Sequence, residues 1–183
     1  MTTLIEYFNQ GLSLEQYINQ MEVNKAEMHK IYETFELPAD DPRLQTVKDK
    51  HLKAIVITED WCGDAMMNLP VLMKIAEATD MPLSISLRDS NPSLMDQYLT
   101  NGGRSIPKFV FLDESGKEYT NWGPRAEKVQ NFVMVLRKDL PAKDDKLFES
   151  KQKEVHHQIH EKYKNTPEFW NEVYESIMEQ LTK

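Results

Sequence analysis

The period of the apolar positions changes twice along the chain, and the changes divide it into three stretches. In the first, residues 1–50, Ile18, Met21, Met28, Ile31 and Phe35 recur at spacings of three, four and seven with Leu12 leading them. That spacing predicts a helix with one apolar face that packs on the rest of the chain. Ser13 with Gln16 forms a capping-box start, and Gly11 before it and Pro38 after it bound a single helix.

In the middle stretch, residues 51–140, strand and helix patterns alternate. Residues 54–58 (AIVIT) are a short β-branched run, and residues 65–78 then carry helical spacing through Met66, Leu69, Met73 and Ala76. Residues 83–87 (LSISL) predict a second strand, and residues 93–99 a helix opened by Asn91-Pro92. Residues 108–112 (KFVFL) predict a third strand, turned by Asp113-Glu114-Ser115-Gly116 into a fourth at residues 118–121. A helix presenting Val129, Phe132, Val133 and Leu136 follows. The order βαβαββα implies a parallel crossover followed by an antiparallel hairpin: an α/β fold with a mixed four- or five-stranded sheet and helices on both faces.

The last stretch, residues 141–183, returns to helix. Asp144-Asp145 lies near the start of one charged helix, and Thr166-Pro167-Glu168 supplies an N-cap, a first-turn proline and an acid for another. Phe169, Trp170, Val173, Ile177 and Leu181 make an apolar face expected to pack on the chain's own core. The expected organisation is a single compact domain: an N-terminal helical extension (1–50), a core (51–140) and a C-terminal helical extension (141–183).

Composition narrows the function more than the fold. With 40% hydrophobic and 28% charged residues the chain reads as globular. A net charge of -8 and the lack of any basic run argue against a general nucleic-acid binder and against attraction to anionic membranes. No apolar run approaches the roughly 18 residues a membrane span needs. Met1 through Asn9 carry neither a basic leader nor an apolar core, so no signal peptide is expected. One cysteine in 183 residues permits no internal disulfide, which fits a cytoplasmic location.

That cysteine, Cys62, stands in ITEDWCGDA, after the first strand and before a helix starting near Gly63. Unpartnered N–H groups at such a helix start favour a thiolate, the nucleophilic form. Gly63 permits a tight turn there. Glu59, Asp60 and Asp64 oppose the thiolate by like charge, and the balance is open at this level. Polar neighbours on both sides read as an exposed loop end rather than the surroundings of an inert buried thiol.

Trp61-Cys62-Gly63-Asp64 after an apolar strand, before a helix interrupted at Pro70, resembles the active-site segment of the thioredoxin superfamily, whose motif is Trp-Cys-x-x-Cys. Residues 87–92 (LRDSNP) resemble the end of that family's next strand, and Gly103-Arg104-Ser105-Ile106-Pro107 with residues 108–112 resembles its cis-proline loop and following strand. The resemblance spans roughly residues 50–138. It implies a thioredoxin-like fold with added terminal helices, Cys62 as nucleophile, and a substrate groove of Trp61, Gly63, Asp64, Ala65, Ile106 and Pro107. Pro107 would be cis, and the residue before it would pair with an extended substrate. More narrowly, the Trp-Cys-Gly-Asp form, the Trp122-Gly123-Pro124-Arg125 segment and the added helices look like a bacterial thioredoxin-like branch, many members of which carry Trp-Cys-x-Asp-Cys.

Departures from the family pattern agree with one another. Ala65 stands where the family has its second, resolving cysteine; Val56 stands at its buried carboxylate and Ile85 at that carboxylate's lysine partner. These losses point to a thiol-disulfide oxidoreductase of monothiol character, in which Cys62 takes a low-molecular-weight thiol from a mixed disulfide and an external thiol regenerates it. The expected partners are protein disulfides or low-molecular-weight thiols, with no cofactor and an oligomeric state left open. Two other readings stand beside it: a non-catalytic binding module of the same fold, and a dithiol reductase whose resolving cysteine was changed to Ala65.

Arg104 and Arg125 are candidate substrate contacts, able to offset the acids and hold a carboxylate of a thiol. An ordinary structural ion pair is the competing role for each. His156 and His160 lie one helical turn apart, but without a third ligand at motif spacing they read, with His157 and Glu161, as a solvated charged face and no metal site.

Overall fold

The computed structural model describes residues 1–183. Four strands form one sheet: β1 (Lys53–Thr58), β2 (Leu83–Leu87), β3 (Lys108–Leu112) and β4 (Glu118–Trp122), in the order β2-β1-β3-β4. The β1–β2 pair is parallel, and β1–β3 and β3–β4 are antiparallel. Helices α1 (Leu4–Gln10), α2 (Leu14–Gln20), α3 (Lys25–Thr34) and α4 (Arg43–Lys48) precede β1. Helices α5 (Gly63–Thr79), α6 (Pro92–Met95) and α7 (Glu127–Arg137) connect and follow the strands, and α8 (Phe148–Asn165) and α9 (Pro167–Leu181) close the chain. No helix is long and apolar enough to cross a membrane.

Both faces of the sheet are covered, so β1 and β3 read as continuous apolar runs rather than alternating ones. Ala54, Val56, Phe109 and Phe111 point into a larger core with α3, α5, α7 and α9. Ile55, Ile57, Val110 and Leu112 point the other way, into a smaller core that holds Leu94 and Met95 of α6 and also Cys62. This is the period-two geometry of a strand sorting one apolar run between two cores. Helix α5 lies between the sheet and α3, α4, α8 and α9, and nearly all its side chains from Ala65 to Ala76 are buried. Its apolar residues therefore occur all round rather than as a stripe.

The N-terminal stretch differs from the single helix expected between Gly11 and Pro38. It is broken into α2 and α3, with Asn24 in the left-handed region at φ 63°. The break finds its partners far away in sequence. The Asp60 carboxylate accepts the N–H groups of Glu22 (2.8 Å) and Val23 (3.3 Å), and Asn24 Nδ2 donates to the Asp60 carbonyl (3.0 Å). Backbone groups freed by ending a helix are thus satisfied by the loop that precedes Cys62. Ahead of α2, Leu12 exchanges two 2.8 Å backbone hydrogen bonds with Ile85 of edge strand β2. The edge that would otherwise be open is covered there.

Three other boundaries move. The helix expected over residues 93–99 ends at Met95, and bonds from Gln97 N–H to Leu94 and from Tyr98 N–H to Met95 tighten the chain into shorter turns. Helix α8 starts at Phe148 rather than near Asp144-Asp145, because the Asp145 carboxylate accepts the Leu147 N–H (2.8 Å) and holds a turn ahead of it. Thr166 occupies the N-cap position of α9, yet its side chain caps no N–H; Pro167 occupies the first turn. The apolar face of α9 packs into the larger core, with Trp170, Val173, Ile177 and Leu181 buried.

Candidate active site

Cys62 is the N-cap residue of α5, at the carboxyl end of β1. Its Sγ accepts the Ala65 N–H at 3.5 Å and donates to the Ile106 carbonyl at 3.4 Å. The Ile106–Pro107 peptide is cis, as is Gly123–Pro124. Three segments distant in sequence therefore converge: the β1–α5 turn, the loop before β3 and the loop after β4. The last two touch closely. At Gly123, with φ 128°, a Cβ would lie 2.2 Å from the Pro107 carbonyl oxygen, so only glycine fits. Lys108 Nζ donates to the Gly123 carbonyl (2.7 Å) and Asn68 Nδ2 to the Pro124 carbonyl (2.7 Å), fixing the loop that carries Arg125.

The expected exposed loop end is only half correct. Trp61 is 48% exposed, with the Arg88 guanidinium 4.8 Å over its ring, but Cys62 is 8% exposed. Burial first, and Asp64 second, push the thiol up to about 11, against the N–H groups of Ala65 and Asp64 and the charge of Arg125. Of the three carboxylates near Cys62 in sequence, two are engaged elsewhere. Asp60 holds the break between α2 and α3, and Glu59 accepts the Asp89 N–H at 3.4 Å.

Asp64 is tied down by three bonds. Arg125 Nε reaches its Oδ1 and Arg125 Nη2 its Oδ2, both at 2.9 Å, and the Tyr163 hydroxyl donates to Oδ1 at 2.6 Å. The two charged side chains are 14% and 13% exposed. Arg125, expected as a substrate contact, is thus the ion-pair partner of Asp64 while still lining the site. Arg104 pairs with Asp96 at 2.8 Å on the surface.

Cys62 opens onto two cavities. One, of about 330 Å³, has Arg88, Arg104, Ser105, Ile106 and Pro124 on its far wall. The other, of about 280 Å³, is walled by α8 through His156, Ile159 and His160, with Arg137 of α7 beside them. Trp61, Cys62, Asp64 and Arg125 line both. The imidazole of His160 lies directly on Gly63, where a Cβ would meet Nε2 at 2.1 Å. A side chain at residue 63 would force the His160 ring to move.

Against this geometry, the comparisons are consistent. A family model described as Thioredoxin matches residues 11–146, well over half of the chain. The chain belongs to the thioredoxin family. No curated protein matches the sequence. A crystal structure of a protein of unknown function from Pseudomonas aeruginosa is 16% identical, with a TM-score of 0.64 over 97% of this chain and 98% of that one. An HIV epitope scaffold is 15% identical, with a TM-score of 0.62 over 96% of this chain and 98% of that one. At these identities the likeness shows the fold.

Within this thioredoxin-family fold, Val56 and Ile85 are direct partners across β1 and β2, and both are fully packed. The two apolar residues therefore fill one site together. Ala65 is 3% exposed and offers the thiol only its N–H. The reading of the α8 histidines as a solvated face is corrected at His160. His156 and His157 are exposed, but His160 is half-buried and, with His156, lines the cavity on Cys62 because α8 crosses the start of α5. No group of three or more His, Cys, Asp or Glu side chains is placed to hold a metal. Sequence reasoning also missed Tyr163, Asn68 and Lys108. A polar residue inside an apolar helical run, as Asn68 is, was the one available signal.

Proposed function

We propose that this protein is a thiol-disulfide oxidoreductase that works through Cys62 alone and serves cell redox homeostasis. The observation that carries the reading is the position of Sγ, at the start of α5 and 3.4 Å from the Ile106 carbonyl, in a chain of the thioredoxin family. An extended substrate lying along Ile106 and Pro107 would bring its disulfide to that sulfur, with Trp61 at the groove's rim. Cys62 would attack the disulfide and form a mixed disulfide. Ala65 offers no second sulfur, so an external thiol must release it. We place the chain in a bacterial Trp-Cys-x-Asp branch with Ala65 at the second cysteine, read it as one domain with helical extensions at 1–50 and 141–183, and assign it to the cytoplasm.

Intact mass after exposure to an oxidised low-molecular-weight disulfide near neutral pH, followed by addition of free thiol, tests this. The expected result is a single adduct on Cys62, absent in Cys62→Ser and removed by thiol. A thiol that forms no adduct sinks the reading and supports the rival one, a binding module of the same fold. The rival draws on the burial and raised pKa of Cys62, which keep the thiol protonated at neutral pH. Turnover of a protein disulfide by Ala65→Cys alone would favour the dithiol ancestry of the site.

A further inference from the structure

The second cavity at Cys62 does not belong to the groove formed by Ile106 and Pro107; it exists because α8 crosses the start of α5. Its volume, about 280 Å³, suits one small molecule rather than an extended polypeptide. On one side is the sulfur, and on the other are two imidazoles one helical turn apart. Asp64 is neutralised within the wall by Arg125, whereas Arg137 makes no ion pair with the chain. The surplus charge of the cavity is therefore positive.

We propose that this cavity receives the thiol that regenerates Cys62, a low-molecular-weight thiol bearing a carboxylate, with His160 taking its proton and Arg137 holding the carboxylate. The inference rests on the monothiol reading above. In the first step Cys62 displaces the protein thiol from a protein mixed disulfide and keeps the small-thiol half. In the second, the incoming thiol gives its proton to His160 and its sulfur attacks the small-thiol sulfur. A new S–S bond forms, the bond to Cys62 breaks, and its electron pair returns to Sγ, which is reprotonated from solvent as His160 gives its proton up. Over both steps the protein mixed disulfide is reduced to a thiol and the two small thiols leave as one disulfide.

His160 is suited to accept a proton at neutral pH. Burial, then the neighbouring His156, holds its pKa below the ordinary histidine value; Lys164 lowers it further, and Asp64 of α5 and Glu27 of α3 raise it. His156, at the exposed edge of the cavity, is lowered by partial desolvation and by Arg137 and raised by Asp64. Both rings therefore meet an incoming thiol as free bases.

The test starts from full-length protein carrying a methylthio mixed disulfide on Cys62, and return of the free thiol is followed by intact mass. Releasing thiols are 3-mercaptopropionate (anionic), 2-mercaptoethanol (neutral) and cysteamine (cationic), with rates corrected for each thiol's ionised fraction. The expected preference is for the anionic thiol by about fivefold over the neutral one, and Arg137→Gln brings the two rates together. His160→Gln slows all three by about a hundredfold at neutral pH and converges on wild type as pH approaches the thiols' own pKa. Equal rates across the charge series in wild-type protein, or a His160→Gln profile that overlays wild type, overturns the inference. Should His160→Gln fail to fold, the charge series and the exposed-site variant Arg137→Gln still decide. Failure to load Cys62 at all is a different result and overturns the monothiol reading itself.

Discussion

The two cavities that meet at Cys62 are built from different parts of the chain. The wall at Ile106 and Pro124 comes from loops at the ends of β-strands, whereas the wall at His156 and His160 comes from a helix about a hundred residues beyond the cysteine. Loops at strand ends are where this kind of sheet exposes backbone groups to a ligand. A crossing helix adds side chains instead, here imidazoles, and reduces access to the sulfur. The difference teaches that the first wall can recognise a backbone, while the second can supply proton chemistry. Asp64 and Arg125, shared by both, form the ridge between them.

The comparison breaks completely at its centre. Cys62→Ser should abolish mixed-disulfide formation from either side, read by intact mass. The ridge comes next. Arg125→Leu leaves Asp64 charged and two of its three bonds unmade in a largely buried site, and should lower unfolding free energy by about 3 kcal/mol in urea denaturation. Gly63→Ala tests the α8 wall alone. Its Cβ meets the His160 ring, so the cost should be about 2 kcal/mol, and adding His160→Ala should recover most of it in a double-mutant cycle.

Titration sharpens the same division. Alkylation of Cys62 should rise with pH toward about 11, because below that value the buried thiol holds its proton. Asp64→Asn removes a charge that raises the thiol and leaves Arg125, which lowers it, so alkylation near neutral pH should speed up several-fold. The raised thiol also makes stability depend on pH: it is level below the ordinary cysteine value and falls as pH climbs to about 11, because burial penalises the thiolate in the folded chain. The smallest effect belongs to the outer rim, where Arg88→Ala should cost only about 0.5 kcal/mol through loss of its stack on Trp61.

Legibility of the fold varied with how local its causes are. Strands β1 to β4 and helices α5, α7 and α9 were readable because each depends on the spacing of its own apolar residues, and the capping box of Ser13 and Gln16 is present as read. The helix between Gly11 and Pro38 misled because Met21 and Met28 keep helical spacing across a break made by Asp60, nearly forty residues away. At the site, the turn carrying Cys62 followed from its own motif. The fate of its acids did not, since Asp64 is paired with a tyrosine 99 positions further on.

By itself, then, the sequence determined the strand and helix order of the middle stretch and the placement of a lone thiol at a helix start, with Ala65 three positions on. These follow from periodicity and short-range capping, which act over a few residues. Only the tertiary structure decided which carboxylate reaches the thiol, how far the thiol is buried, and that His156 and His160 face it. Those are properties of groups brought together by packing, and burial and charge act through space rather than along the chain.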